Sequence, residues 1–309
     1  MTLHQLRPVL AALLLLPAGC KPPLPPREFD GASAFKYIER QMAFGPRIPG
    51  TAGHQRMAAW LDSILPGRAD SLIVQRWKHV TARGDTLTLT NYLLRFNPSA
   101  TEHILYLAHW DTRPTSDSPL QKAEQLAANR ARPVPGANDG ASGVALLLGI
   151  ADVLKRTPPG RGIDLLLVDG EDYGDFEKTP DDVLMGSKYY AANLPPGPTP
   201  LFAVLWDMIA GKNLQLYQEG NSLLGAPEVV ELVWTAAKEA GHGDVFVASP
   251  KYTLIDDHVS LQKVGIRAID VVHFAPDYPY WHTPDDTIDK LSSESLQIVG
   301  DVAIYLARH

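Results

Sequence analysis

The sequence predicts a single three-layer α/β/α domain around a central mixed, mostly parallel sheet. Residues 104–108, 163–168 and 201–206 are short, almost unbroken apolar runs, the pattern of strands buried on both faces. Stretches with helical spacing separate them, as β-α-β crossovers require. Each run also leads into a side chain able to hold a metal or move a proton: His109 with Asp111, Glu171 with Asp172, and Asp207, with Asp270 and His273 in a similar place around Val271 and Val272. In a parallel sheet ligands bind beyond the carboxyl ends of the strands, so these residues are expected to meet in one crevice.

The elements follow in order. Asp30 is placed to cap a helix with Phe35, Ile38 and Met42 on one face, and Thr51 to start another with Met57, Leu61 and Ile64. A turn-rich stretch of Gly and Pro at residues 44–50 lies between them. Residues 74–79 and 86–96 alternate like a pair of antiparallel strands, and 105–108 open the buried runs. Residues 140–155 read as an amphipathic helix with Val144, Leu147, Leu148 and Ala151 inward, followed by the strand 163–168. Residues 227–240 form a further helix, and Ser292 or Ser293 caps the last one, along which Leu296, Val299, Ala303 and Leu306 recur. There is no internal repeat.

With 309 residues, 45% hydrophobic and 20% charged, the chain is long enough to bury a large core in one domain. The formal net charge of −7 excludes a basic face for phosphate backbones, so nucleic acid is not expected as a partner. Cys20 is the only cysteine, which rules out an internal disulfide and a cysteine metal site. Arg7, an apolar run at residues 9–16 and then Pro17-Ala18-Gly19-Cys20 read as an export signal over residues 1–19. Eight apolar residues are too few to span roughly 30 Å of hydrocarbon. Ala-Gly-Cys resembles a bacterial lipoprotein signal, in which Cys20 becomes the lipidated first residue. Residues 20–29, rich in proline, are then an extended tether, and 30–309 the catalytic domain. The expected location is the bacterial cell envelope, exported and lipid-anchored, with the protein a monomer.

The chemistry lies among the acids. Asp139 sits in Gly136-Ala137-Asn138-Asp139-Gly140, where small residues let backbone come close just before a helix, and its carboxylate is expected to accept backbone N–H bonds and stay ionised. An ordinary helix cap is the plainer alternative. Glu171 and Asp172 are adjacent, so on extended backbone one side chain can face a metal while the other stays free. Taken alone, the pair is also a strand-end turn, and His282 a surface histidine. His54, His79, His103 and His242 lack spacing partners and read as surface or structural residues.

Taken together, Gly136-Ala137-Asn138-Asp139-Gly140, Asp169-Gly170-Glu171-Asp172, Gly186-Ser187, Trp206-Asp207-Met208-Ile209, Ile255-Asp256-Asp257-His258 and Trp281-His282-Thr283 resemble, in order, the motifs of the zinc-dependent aminopeptidase and glutaminyl cyclase superfamily. The resemblance runs from about Phe44 to the C-terminus and implies a zinc aminopeptidase-like fold. Di-zinc aminopeptidases use ligands matching His109, Asp139, Asp172, Asp207 and His282, with Glu171 as base. Three features favour the cyclase branch: Trp281 directly before the ligand histidine, the extra aspartate Asp256, and the long segment 173–185 before Gly186-Ser187.

The cyclase resemblance implies one zinc per chain on Asp139, Asp172 and His282, with His109 and Asp207 as candidates for a second metal. It further implies Glu171 as acid–base residue, Asp207 and Asp256 as carboxylates around it, and Trp281 and Trp206 beside the substrate. Asp172 stands where animal cyclases carry the longer glutamate, and Asp270 where they carry histidine. The expected substrates are peptides or proteins with N-terminal glutamine. Three clustered carboxylates cannot all ionise cheaply, so one is expected to hold a proton near neutral pH. A binding protein with a degenerate site would lack a ligand or the base, and neither is missing.

Overall fold

The computed structural model describes residues 27–309. The export signal at residues 1–19, Cys20 and most of the proline-rich tether lie outside the described residues. Helices α1 (Gly31–Met42) and α2 (Ala52–Ile64) come first, capped by the side chains of Asp30 and Thr51 as the sequence predicts. Strands β1 (Ser71–Val80) and β2 (Thr86–Phe96) form an antiparallel hairpin, and β3 (His103–His109) is the first parallel strand. After the exposed helix α3 (Ala123–Asn129) come α4 (Ala141–Arg156) and β4 (Gly162–Val168). Then follow α5 (Met185–Ala192), β5 (Phe202–Asp207), β6 (Leu216–Gln218), α6 (Gly220–Gly225) and α7 (Pro227–Glu239). The chain closes with β7 (Phe246–Pro250), α8 (Asp257–Gln262), β8 (Ala268–Val272) and α9 (Ser293–Arg308), whose N-cap is Ser292.

The main sheet has the order β1-β2-β4-β3-β5-β8, with β6 and β7 pairing separately. Strands β4, β3, β5 and β8 run parallel, so their carboxyl ends share one edge, while the β1–β2 hairpin joins β4 antiparallel. Alternation along each strand divides the interior into two cores. Ile104, Tyr106, Ile163, Leu165, Val204 and Trp206 pack under α1, α4, α7 and α9, whereas Leu105, Leu107, Leu166 and Leu205 pack toward α5 and α8. This is the three-layer α/β/α arrangement that the apolar runs predict.

Two expectations change. Helix α4 is buried nearly all round from Ala141 to Ala151, rather than amphipathic, because α1 and α9 cover the side turned away from the sheet. The tether also ends earlier than residue 29. Phe29 is 4% exposed and its ring wedges against Gly149 of α4 and Gly300 of α9, where an added Cβ would lie 2.6 Å and 2.1 Å from it. Glu28 pairs with Arg308 at 2.7 Å, so the domain begins at about Glu28. Both glycines exist to admit that ring.

Replacing a buried aromatic leaves a cavity and costs roughly 3–5 kcal/mol. Phe29→Ala should therefore lower the unfolding free energy by about 3 kcal/mol in a urea titration. A loss below about 0.5 kcal/mol, the range of ordinary surface changes, would return residues 27–29 to the tether.

Candidate metal centre and active site

The parallel strands deliver the site. β3 ends on His109, β5 ends on Asp207, and the turn after β4 carries Glu171 and Asp172. Asp139 comes from the loop before α4, and His282 from the segment after β8. His109 Nε2 lies 3.1 Å from Asp139 Oδ1 and 3.2 Å from Asp207 Oδ1. His282 Nε2 lies 3.3 Å from Asp172 Oδ1 and 3.6 Å from Asp139 Oδ2. Two buried donor groups thus share Asp139: His109, Asp139 and Asp207, and Asp139, Asp172 and His282, the ligand atoms of each within 4.8 Å of one another. Nitrogen and carboxylate oxygen donors suit zinc, and Asp172 Oδ2 is a buried acceptor without a hydrogen-bond partner. The residues fit the ion.

Backbone contacts hold these ligands in place. Asp111 accepts the N–H groups of Glu171 at 3.0 Å and Asp172 at 3.1 Å, fixing that turn. Asp286 accepts from the N–H groups of Asn138 and Asp139 and from the Tyr278 hydroxyl at 2.6 Å. The fully buried Arg47 donates to the carbonyls of Trp110, Pro135 and Gly136, tying β3 to the Asp139 loop. Gly136 has φ of +73°, and a Cβ there would meet Thr112 at 2.3 Å, so only glycine fits this bend. Arg113 binds Asp172 at 2.8 Å and Asp117, whose Oδ1 lies 3.3 Å from His282 Nδ1.

The four lone histidines are each paired with an aspartate: His54 with Asp169, His79 with Asp182, His103 with Asp164 and His242 with Asp301. His54 and His103 are buried, so the surface reading fails for them and the structural one holds. His54 also stacks on Trp110, with ring centroids 4.4 Å apart, and so steadies the turn after β4 through Asp169. Arg47, Arg113, Asp117 and Asp286 carry no local signal that separates them from ordinary surface charges.

Beside the donors lies a pocket of about 300 Å³, lined on one side by Glu171, Asp207 and Asp256 and on the other by Phe176, Leu254, Ile255, Phe274 and Trp281. Trp281 stacks on His282 at 3.9 Å and meets the edge of Phe274 at 4.7 Å. Burial and the neighbouring Asp172 hold the Glu171 carboxyl well above the usual carboxylate range. Burial and Asp207 do the same to Asp256, which caps α8. Asp139 also moves upward, through burial and Asp172.

Several expectations need correction. Trp206 does not line the pocket: side chains alternate along β5, so Asp207 faces the site while Trp206 is fully buried in the opposite core against Tyr106. Asp270 lies within β8 opposite Leu205, two residues short of the strand end, and is fully buried outside the pocket lining. His273 is buried, and its neighbours Val272 and Phe274 reach the pocket in its place. The Asp139 carboxylate accepts no backbone N–H; its own N–H donates to Asp286 while its oxygens face the two histidines.

Burial disfavours the His282 imidazolium, but Asp172 and Asp117 outweigh it and raise the pKa to about 9. A ligating histidine must shed that proton. Zinc affinity should therefore rise with pH below 9 and level off above it, with release of the His282 proton making binding at pH 8 about ninefold tighter than at pH 7. Competition with a chromogenic chelator measures this, and His282→Ala or Asp172→Ala should weaken binding at every pH.

Comparison with known proteins agrees with this geometry. The model of peptidase family M28 matches residues 91–307. Aminopeptidase YwaD of Bacillus subtilis (strain 168) is 31% identical over 91% of this chain, which spans 58% of that protein's length. The crystal structure of Bacteroides thetaiotaomicron glutaminyl cyclase bound to N-acetylhistamine is similar with a TM-score of 0.84 and 32% identity, covering 92% of this chain and 99% of that one. A leucine aminopeptidase precursor from the same organism gives a TM-score of 0.83 and 33% identity, covering 90% and 97%. With the family model matched across the four parallel strands and all of the metal donors, the chain belongs to peptidase family M28.

Proposed function

We propose that the protein is a glutaminyl-peptide cyclotransferase, converting the N-terminal glutamine of peptides or proteins to pyroglutamate with release of ammonia and using one zinc per chain. One observation supports this most directly. The three sequence features that favour the cyclase branch meet in one pocket: Asp256 beside Glu171, Trp281 as a wall, and Phe176 from the long segment after Asp172. The likeness to the Bacteroides thetaiotaomicron glutaminyl cyclase supports the same reading.

Bound to Asp139, Asp172 and His282, zinc would supply an open position that polarises a carbonyl. The chain's own residues do the rest. The α-amine of the substrate attacks its own side-chain amide carbon as the neutral amine and must lose a proton as the new C–N bond forms. Glu171 takes that proton and returns it to the departing nitrogen as the C–N bond breaks, so one carboxyl serves as base and then acid. Its neighbours Asp172 and Asp256 raise its proton affinity, which suits it to hold the proton between the two steps. The apolar walls from Leu254, Phe274 and Trp281 exclude water from a pocket meant to cyclise rather than hydrolyse.

A second reading, a di-zinc aminopeptidase, is favoured by the intact group of His109, Asp139 and Asp207. The two reactions separate by product mass. A glutamine-starting peptide should lose about 17 mass units, the ammonia of the general acid–base step, and keep its length. Leucine- and alanine-starting peptides should be untouched. Free amino acids from those peptides, with two zincs needed for turnover, would establish the aminopeptidase. Glu171→Gln should retain zinc and lower kcat by roughly 10²–10⁴-fold.

The proposed setting is the bacterial cell envelope, with a monomer anchored by lipid on Cys20. On expression in a bacterium the unaltered chain should stay with membranes through a high-salt wash, and Cys20→Ala should be released. Equal retention of both would remove lipid as the anchor.

A further inference from the structure

We propose that Arg113 and Asp117 are positioning residues that hold Asp172 and His282 in ligating geometry before the ion arrives, so that the Asp139, Asp172 and His282 group takes the first zinc. The proposal rests on the zinc reading of the site and is the same for a cyclase or an aminopeptidase.

Four side chains close a ring. Arg113 grips Asp117 with both arms of its fork, Nε to Oδ1 at 2.7 Å and Nη2 to Oδ2 at 2.8 Å. Its remaining nitrogen, Nη1, donates to Asp172 Oδ1 at 2.8 Å and to the carbonyl of Gly174 at 3.1 Å. Asp117 Oδ1 lies 3.3 Å from His282 Nδ1, and His282 Nε2 returns to Asp172 Oδ1 at 3.3 Å. The N–H of Ser118 donates to the carbonyl of His282, pinning its backbone to the same loop. A planar guanidinium held by these four hydrogen bonds through all three of its nitrogens cannot turn without breaking several of them. The Asp172 carboxylate and the His282 ring are therefore both held through one cation, with Asp172 Oδ2 left without a partner.

The other donor group has no guanidinium behind it: His109 Nδ1 faces Asp111 at 3.5 Å much as His282 faces Asp117, but among the described residues the Asp207 carboxylate is hydrogen-bonded only to His109 itself. Partners behind a ligand commonly govern affinity 10–100-fold. The asymmetry thus assigns the first ion to one group. Arg113 and Asp117 line a separate cleft of about 770 Å³ and not the pocket that holds Glu171, so changing them leaves the pocket walls intact.

Coulomb's law and positioning predict opposite signs, which makes the test sharp. A guanidinium beside a ligand carboxylate repels a cation, so on charge alone its removal should tighten zinc binding. Through positioning, its removal should loosen it. The experiment is competition of the full chain with a chromogenic zinc chelator for the unaltered protein, Arg113→Lys, Arg113→Gln and Asp117→Asn. Arg113→Lys keeps the charge and loses the fork; both Arg113 variants should bind the tightest zinc roughly 10–100-fold more weakly, and Asp117→Asn less so, because an amide oxygen still accepts from His282. The visible absorption of cobalt-loaded protein should shift in the same variants. His109→Ala should keep the tightest zinc. Unchanged affinity in Arg113→Lys with tighter binding in Arg113→Gln would overturn the proposal, as would loss of the tightest zinc in His109→Ala alone. Should Arg113→Gln fail to fold by circular dichroism, Arg113→Lys and Asp117→Asn decide the outcome by the same affinities.

Discussion

Too many carboxylates are buried at one end of the sheet for them to coexist as free anions. Asp111, Asp139, Asp172, Asp207 and Asp257 are each buried, with Glu171 and Asp256 beside them. Taking an unpaired carboxylate out of water costs several kcal/mol even after relaxation, and neighbouring like charges add to that. The fold answers in three ways: guanidinium groups at Arg47 and Arg113, imidazoles at His109 and His282, and backbone N–H groups on Asp111 and Asp286, while burial and neighbouring charge push the carboxyls of Glu171 and Asp256 toward their protonated forms. A divalent cation would complete the compensation where two donor groups share Asp139.

The sheet is what brings those charges together. Parallel β4, β3 and β5 end on one edge, and strand parity sends His109 and Asp207 to the same side. The antiparallel hairpin does more than close the sheet. Thr90 of β2 donates its N–H to Asp169 and accepts the Trp110 indole N–H, so the hairpin grips the chain on both sides of the Glu171 turn. Helix α4, enclosed by the sheet, α1 and α9, gives the Asp139 loop a rigid footing.

The same charge constraint generates the chemistry. A carboxyl whose ionised form is opposed by burial and by its neighbours holds a proton more readily than a free one, and Glu171 is in that position. A cluster of anions attracts a cation, whether a metal or the ammonium of a peptide N-terminus. What the apolar walls add is shape, since Phe274 and Trp281 pack edge to face beside the acids and bound the pocket there. Structural burden and catalytic use are one arrangement seen from two sides.

Local signals were enough for the elements. Apolar runs ending in acids gave the parallel strands, Asp30, Thr51 and Ser292 gave helix starts, and the motifs holding Asp139, Asp172 and His282, through their resemblance to the zinc aminopeptidase superfamily, pointed to donors that the structure brings together. Trp206 shows the limit of adjacency: one residue from Asp207 along the chain, it faces the opposite core, since parity and not proximity decides which face a strand residue joins. Phe29 likewise looked like tether until Gly149 and Gly300, more than 100 residues away, made room for its ring. The braces Arg113–Asp117–His282 and Asp286–Asp139 join segments far apart in sequence. By itself, then, the sequence determined the fold class and, through the resemblance that its motifs carry, the enzyme family, because apolar period and short motifs are local to the chain. Which charges neutralise which, and which ligands stand ready for a metal, only the tertiary structure decided, because a hydrogen bond between remote side chains leaves no periodic trace in the chain.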